Sequence, residues 1–404
     1  MDETQPARQV SRDQPGDPRR PTLVGLLPAP EQPADIAESL AGQLPELLAD
    51  YVDDRLAWDV QVVVDPLTGA MEDSDSIIDK TEAYKHQREW DYVICITDLP
   101  IYKERRYMVA EASMARCSAI VSLPAFGATG IRQRLRESIL QLVNEMHHGS
   151  SEAARERQER RTEASDKVSD DLRGEGARRL MGHRLFESLI PIHRETPEHA
   201  EGNIDVRFVT RSRLGGSLRI LSGMVRANRP WTVFPAFRSV IAVAFATGAY
   251  GLIFPTFWKL NDSYGGSRLV VLMLTAMIAM VIWIMLAHGL WEPLRKASSR
   301  HIARLYNMVT VLTLSTAVVF YYGVLYLLFL FAVYLFVPAS LLSQNLGHAV
   351  GPANYLSLAW LASSLATLAG ALGAGLEDDT TVLNATYGYR QRRRNKQMRQ
   401  DDGD

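Results

Sequence analysis

The chain has 404 residues and a formal net charge of −2, enough length for two or three domains. Its near-neutral balance hides a division: residues 1–230 are rich in charge, and residues 239–376 are almost free of it. A soluble half followed by a membrane half is the simplest plan that this division suggests.

The first 20 residues, MDETQPARQVSRDQPGDPRR, are polar and Pro-containing, with no apolar core. They read as a disordered tail, not as a secretory signal, which leaves the first domain on the cytoplasmic side. Residues 21–149 then alternate patterns. TLVGLLPAP (22–30), WDVQVVVDP (58–66) and DYVICITDLP (91–100) read as buried strands. Residues 34–52 and 73–90 read as helices between them, with Pro45 as a kink in the first. A β-α-β-α-β order predicts an α/β layer with parallel pairing. Residues 105–114 and 117–127 are two further strand-like runs with no room for a helix between them, so they predict an antiparallel hairpin and a mixed sheet. The two cysteines, Cys95 and Cys117, fall in these apolar runs and read as small buried residues on neighbouring strands.

Residues 130–148 form the next helix, with Ile131, Leu135, Ile139, Leu142, Val143 and Met146 at three- and four-residue spacing. It ends in NEMHH (144–148), one substitution from the H-E-x-x-H motif. That motif works because histidines four apart share a helix face and reach one Zn²⁺. Asn144 is a poor ligand for that cation, and His147 lies about 100° off the face. Three readings stay open: a plain helix end, a relic without activity, or a metal site completed by distant His183, His193 or His199. Glu145 and His148 also suit a simple i,i+3 pair.

Taken together, ITDLPIY (96–102), YMVAEASM (107–114), AIVSL (119–123) and NEMHH resemble the zincin arrangement of archaemetzincin-type metallopeptidases. The resemblance covers residues 20–150. It implies Glu145 as the catalytic carboxylate, His148 as a zinc ligand and zinc as cofactor. The chain departs from that family at Asn144, where a first zinc histidine would stand, and GSSEAARERQER (149–160) offers no third histidine. No dinucleotide loop, Walker-type loop or G-x-S-x-G elbow is present.

Residues 150–202 are densely charged with mixed sign and read as a helical or flexible linker. Residues 203–238 hold a returning strand (203–210) and a juxtamembrane amphipathic helix (214–231). In that helix Leu218, Leu221, Met224 and Val225 form an apolar stripe, and Arg219, Arg226 and Arg229 suit anionic lipid headgroups.

Residues 239–376 predict an all-α transmembrane bundle of about four helices, near 240–258, 269–290, 308–337 and 354–375. The third stretch is either one over-long tilted helix or two short ones broken near Gly323. Basic residues cluster before the first span, between the second and third, and in the 377–404 tail. Four spans put all three clusters, and both termini, on the cytoplasmic face of an inner (plasma) membrane. VGLLPAP, VVVDPLTG, GMVRANRPW and AWLASSLATLAGALGAGLEDD resemble an actinobacterial family of multi-span membrane proteins. Intramembrane charge is nearly absent, which disfavours a transporter. The basic tail has no interleaved aromatic residues, which disfavours nucleic acid. The sequence therefore points to a membrane-anchored scaffold or sensor. Its cytoplasmic domain would bind a ligand or an unknown protein partner, and a divergent metallohydrolase is the alternative.

Overall fold

The computed structural model describes residues 20–66, 74–103, 106–149, 192–195, 204–210, 213–228, 238–291 and 300–374. The expected N-terminal tail, most of the 150–202 linker, Arg229, His183, His199 and the basic tail lie outside them. The chain divides into two compact units, Met1–Ser217 and Leu218–Asp404.

The first unit is a mixed α/β domain. Its strands are β1 (Thr22–Pro28), β2 (Trp58–Val62), β3 (Tyr92–Thr97), β4 (Ile101–Lys103), β5 (Arg106–Ser113), β6 (Ser118–Ser122), β7 (Ile192–Glu195) and β8 (Val206–Thr210). They form one sheet in the order β2-β1-β3-β6-β5-β8-β7, with β4 paired to β5. β2, β1, β3 and β6 are parallel, while β5, β8 and β7 continue the sheet antiparallel. The parallel pairs arise because β1, β2 and β3 are joined through helices, which carry the chain back to its starting edge. The short turn between β5 and β6 permits only the antiparallel hairpin.

The helix expected over 34–52 is two helices, α1 (Gln32–Ala41) and α2 (Leu44–Tyr51). Pro45 falls in the first turn of α2, where its missing N–H costs nothing, so it starts a helix and does not kink one. α1 and α2 share a face of the sheet with α4 (Ile131–His148). The opposite face is covered by α3 (Ser74–Arg88), whose Ile77 and Ile78 pack with Cys95, Ile120, Met108 and Val209. Gly25 in β1 lies under the Trp90 ring, where a Cβ would overlap the indole. Trp90 is held there by a 2.9 Å hydrogen bond from Nε1 to Gln61. Cys95 is buried on β3, but Cys117 sits half-buried in the β5–β6 turn at φ 50°, not within a strand.

Among the described residues, the second unit is all-helical: α6 (Arg238–Gly251), α7 (Pro255–Asp262), α8 (Gly266–Ala287), α9 (Arg300–Phe336), α10 (Ala339–Leu346) and α11 (Pro352–Ala374). α5 (Arg213–Ala227) runs from the first unit into the second along the chain. Among the described residues, two helices are long and apolar enough to cross a membrane, Gly266–Ala287 and His301–Phe336. The span expected over 240–258 is instead a pair, α6 and α7, bent by 91°. Pro255 explains the break. It pushes Phe254 into extended backbone (φ −90°, ψ 121°) and then occupies the first turn of α7. α6 alone is 14 residues, about 21 Å, shorter than a hydrocarbon core of about 30 Å. The long third stretch is one unbroken helix of 37 residues, with no interruption at Gly323.

α11 packs against α6, α8 and α9. Its small residues make the close approach possible: a Cβ at Gly370 would lie 2.5 Å from the Tyr321 hydroxyl and 3.1 Å from Ala244. The outside of this unit is apolar. Leu274, Ile278, Ile282 and Leu286 form an exposed stripe along α8, and Val319, Phe320, Leu327, Phe331 and Tyr334 are exposed on α9.

Candidate functional site

α4 carries the NEMHH stretch to the amino-terminal edge of the parallel strands. Leu135, Ile139, Leu142, Val143 and Met146 are buried as the spacing predicts. Both histidines are anchored. His147 Nδ1 lies 2.9 Å from the Tyr92 hydroxyl, and its Nε2 lies 3.6 Å from Asp53 Oδ2. With the proton on Nε2, Nδ1 accepts from Tyr92 and the N–H faces the carboxylate. His148 Nε2 donates to the Val52 carbonyl at 2.9 Å. Trp58, at the start of β2, stands edge-on to His147 and donates from Nε1 to the Asp53 carbonyl. Two hydrogen bonds from Arg55 hold the Asp53 carboxyl far below the usual range. Burial, then the neighbouring His148, lowers the His147 pKa.

This geometry fastens the end of α4 to the α2–β2 loop. His148 Nε2 is spent on a carbonyl. Glu145 is buried, and its charge, after burial itself, raises the Tyr51 pKa. The Asn144 side-chain oxygen Oδ1 is buried without a hydrogen-bond partner. His193 lies on edge strand β7 opposite Val209, four strands from β3, or about 19 Å across the sheet. Among the described residues, no three His, Cys, Asp or Glu side chains gather as a metal site. Sequence spacing gave the shared helix face but not the neighbours that use it.

A different site lies at the other edge. The chain leaves β1 toward β2 on one side and returns to β3 on the other, so the order reverses between β1 and β3. In open α/β sheets, the crevice outside the carboxyl ends of strands at such a reversal is where ligands bind. The loops after β1, β2 and β3 leave from that edge. The Ala29 N–H donates to the Ile96 carbonyl and the Asp65 N–H to the Pro28 carbonyl, which extends the ladder past β1. The β3–β4 loop is braced twice: the Leu99 N–H donates to Thr97 Oγ1 at 3.1 Å, and Ser122 donates to the Leu99 carbonyl at 2.7 Å. Asp98 stands in that loop. Asp65 is buried, 3.5 Å from Lys80 Nζ. The Tyr84 hydroxyl is pushed up to about 12 by burial and by its hydrogen bond to Asp65. At the start of α1, Glu31 takes a strained φ of 70°.

Asp65, Lys80 and Tyr84 thus form one polar cluster, and the buried Asp98 stands apart from them in sequence, in the β3–β4 loop. Sequence reasoning missed this set. Its signal was an Asp just after two apolar strands, each followed by proline: VDP (64–66) and TDLP (97–100).

No protein family, curated protein or solved structure matches this chain. Function therefore rests on the geometry.

In the helical unit, polar groups meet in pairs: Tyr322 with Ser364, Asn261 with Ser357, and Asn228 with Thr313. Each pair is hydrogen-bonded within 3.0 Å, the arrangement that joins helices in lipid.

Proposed function

We propose that this chain is a multi-span membrane protein whose α/β domain acts as a non-enzymatic scaffold or sensor. That domain binds its ligand or partner at the carboxyl edge of β1 and β3. The observation that carries the membrane half is its inverted surface. Large apolar side chains line the outside of α8 and α9, which water would penalise and hydrocarbon accepts. The four-span plan adds α6–α7 and the 23-residue α11 to those two helices. With it come cytoplasmic termini, an inner membrane and basic residues on the cytoplasmic side. Headgroup contact through α5 falls to exposed Arg226, because Arg219 is only 8% exposed.

The binding half is tested on the full chain in micelles, by hydrogen exchange in the presence of small polar metabolites. A true ligand slows exchange in the loops after β1 and β3, and Asp98→Asn removes the effect. Protection at the NEMHH end of α4, with one zinc per chain by elemental mass spectrometry, would instead favour the hydrolase reading through Glu145 and His148.

A further inference from the structure

His348 joins the α10–α11 loop to α7. Gly347, at φ 78°, ends α10, and His348 follows it. Its Nε2 lies 3.0 and 3.1 Å from the two Asp262 carboxylate oxygens, and its Nδ1 lies 3.0 Å from the Ala349 carbonyl oxygen. Both ring nitrogens therefore face acceptors. A neutral imidazole carries one N–H and can satisfy only one of them, whereas the imidazolium carries two and satisfies both. A neutral ring in this position would set a lone pair against an oxygen, so one of the two contacts must break when the proton leaves.

The surroundings favour the charged ring. Asp262 is the last residue of α7, where the helix carbonyls already gather negative charge and a cation is stabilising. The Ala349 carbonyl, then Asp262, raise the His348 pKa. Along residues 255–268 and 338–356 the other titratable groups are Lys259, Tyr264, Arg268 and Tyr355, and Tyr334 of α9 lies against Tyr355. The Arg268 guanidinium stands 4.7 Å over the Tyr264 ring, and the Tyr355 hydroxyl donates to the Val337 carbonyl at 3.0 Å. Among these residue types, histidine is the one whose charge ordinarily changes between pH 5 and 8. His348 and Asp262 are 45% and 33% exposed, so protons reach the pair from water.

The loop that the pair holds is also a wall. An apolar cavity of about 660 Å³ is lined by Leu330 and Tyr334 of α9, Leu356 of α11, and Val350 and Gly351 of this loop. We propose that His348 and Asp262 form a pH-operated latch on the α10–α11 loop. Protonated, the ring pins the loop to α7 and keeps the cavity wall in place; neutral, it lets both loosen. This goes beyond the ligand site of the α/β domain and does not depend on it. Because the folded pKa is raised, the latch is fully closed below about 6.5 and is lost as pH rises through the folded value. A half-exposed pair shifts an equilibrium by no more than about fivefold, so the latch tunes the loop without unfolding the unit.

The test is hydrogen exchange of the full chain in micelles at about pH 6 and about pH 8.5, corrected for the intrinsic pH dependence of exchange. Protection of the 347–351 amides should fall about three- to fivefold at the higher pH, with the middle of α9 as the constant reference. His348→Gln should show the low protection at both values. His348→Lys, which keeps its charge throughout, should show the high protection at both. Asp262→Asn should remove the pH response. Equal protection at the two pH values in the parent chain overturns the proposal, as does a response that survives in His348→Gln or in Asp262→Asn.

Discussion

Arg207 of β8 and Glu111 of β5 face each other across the sheet, with Nε 3.0 Å from Oε1 and side chains 6% and 0% exposed. At that distance and an effective dielectric of about 20, the attraction is about 5–6 kcal/mol. Desolvation costs several kcal/mol per ion, so the pair adds little net stability. Removing one partner is different, because it leaves the other charge buried. Arg207→Met should destabilise the domain by about 3–5 kcal/mol. The double change Glu111→Met with Arg207→Met should return to within about 1 kcal/mol of the parent. The assay is hydrogen exchange of the β5 and β8 amides in the full chain, in micelles, read as opening free energies. If the two single changes simply add, or if Arg207→Met alone costs under about 1 kcal/mol, the reasoning fails.

Other expectations follow from packing and titration. Gly25→Ala should cost about 2–4 kcal/mol, from overpacking against Trp90 and loss of its bond to Gln61; β1 and β3 amides would exchange faster, and an unchanged rate would sink the idea. A histidine whose folded pKa is lowered binds fewer protons than the unfolded chain, so stability falls as pH drops below about 6.5 toward the folded value. His147→Phe should flatten that slope in pH-dependent urea unfolding, leaving the loss near and below pH 4 that Asp53 causes on protonation. In the helical unit, Gly370→Leu would drive a side chain into Tyr321 and Ala244; a melting temperature in detergent equal to the parent's would contradict the close packing of α11.

Several features were readable before any coordinates. Alternating apolar runs and helical spacing marked β1 to β3 and their crossovers, and the missing helix between residues 114 and 117 forced the β5–β6 hairpin. The charge-free run in 308–337 marked α9. Other features left no local trace. β4 has three residues and β7 four, the latter inside a charged stretch, because an edge strand with one neighbour does not require an apolar run. The α6–α7 bend hides within uniform apolarity, and Pro255 alone signals it. In α5 Leu221 and Met224 of the apolar stripe are buried together with Ile220, which lay outside that stripe, while Leu218 is 65% exposed. The roles of His147 and His148 depend on Val52, Asp53 and Tyr92, which are distant in sequence, so spacing alone could suggest a metal face but not a fastening.

The place of β8 sets a timetable for synthesis. It inserts between β5 and β7, so the sheet cannot close until Thr210 has been made. About 30 residues later the first apolar helix begins, at Arg238. At roughly 5–20 residues per second, that interval lasts about 2–6 s. Domains dominated by non-local strand pairing fold in milliseconds to seconds. Sheet closure and synthesis of the first apolar helix thus share one narrow window, and a slow last strand would leave the β5 edge open while that helix is already being made.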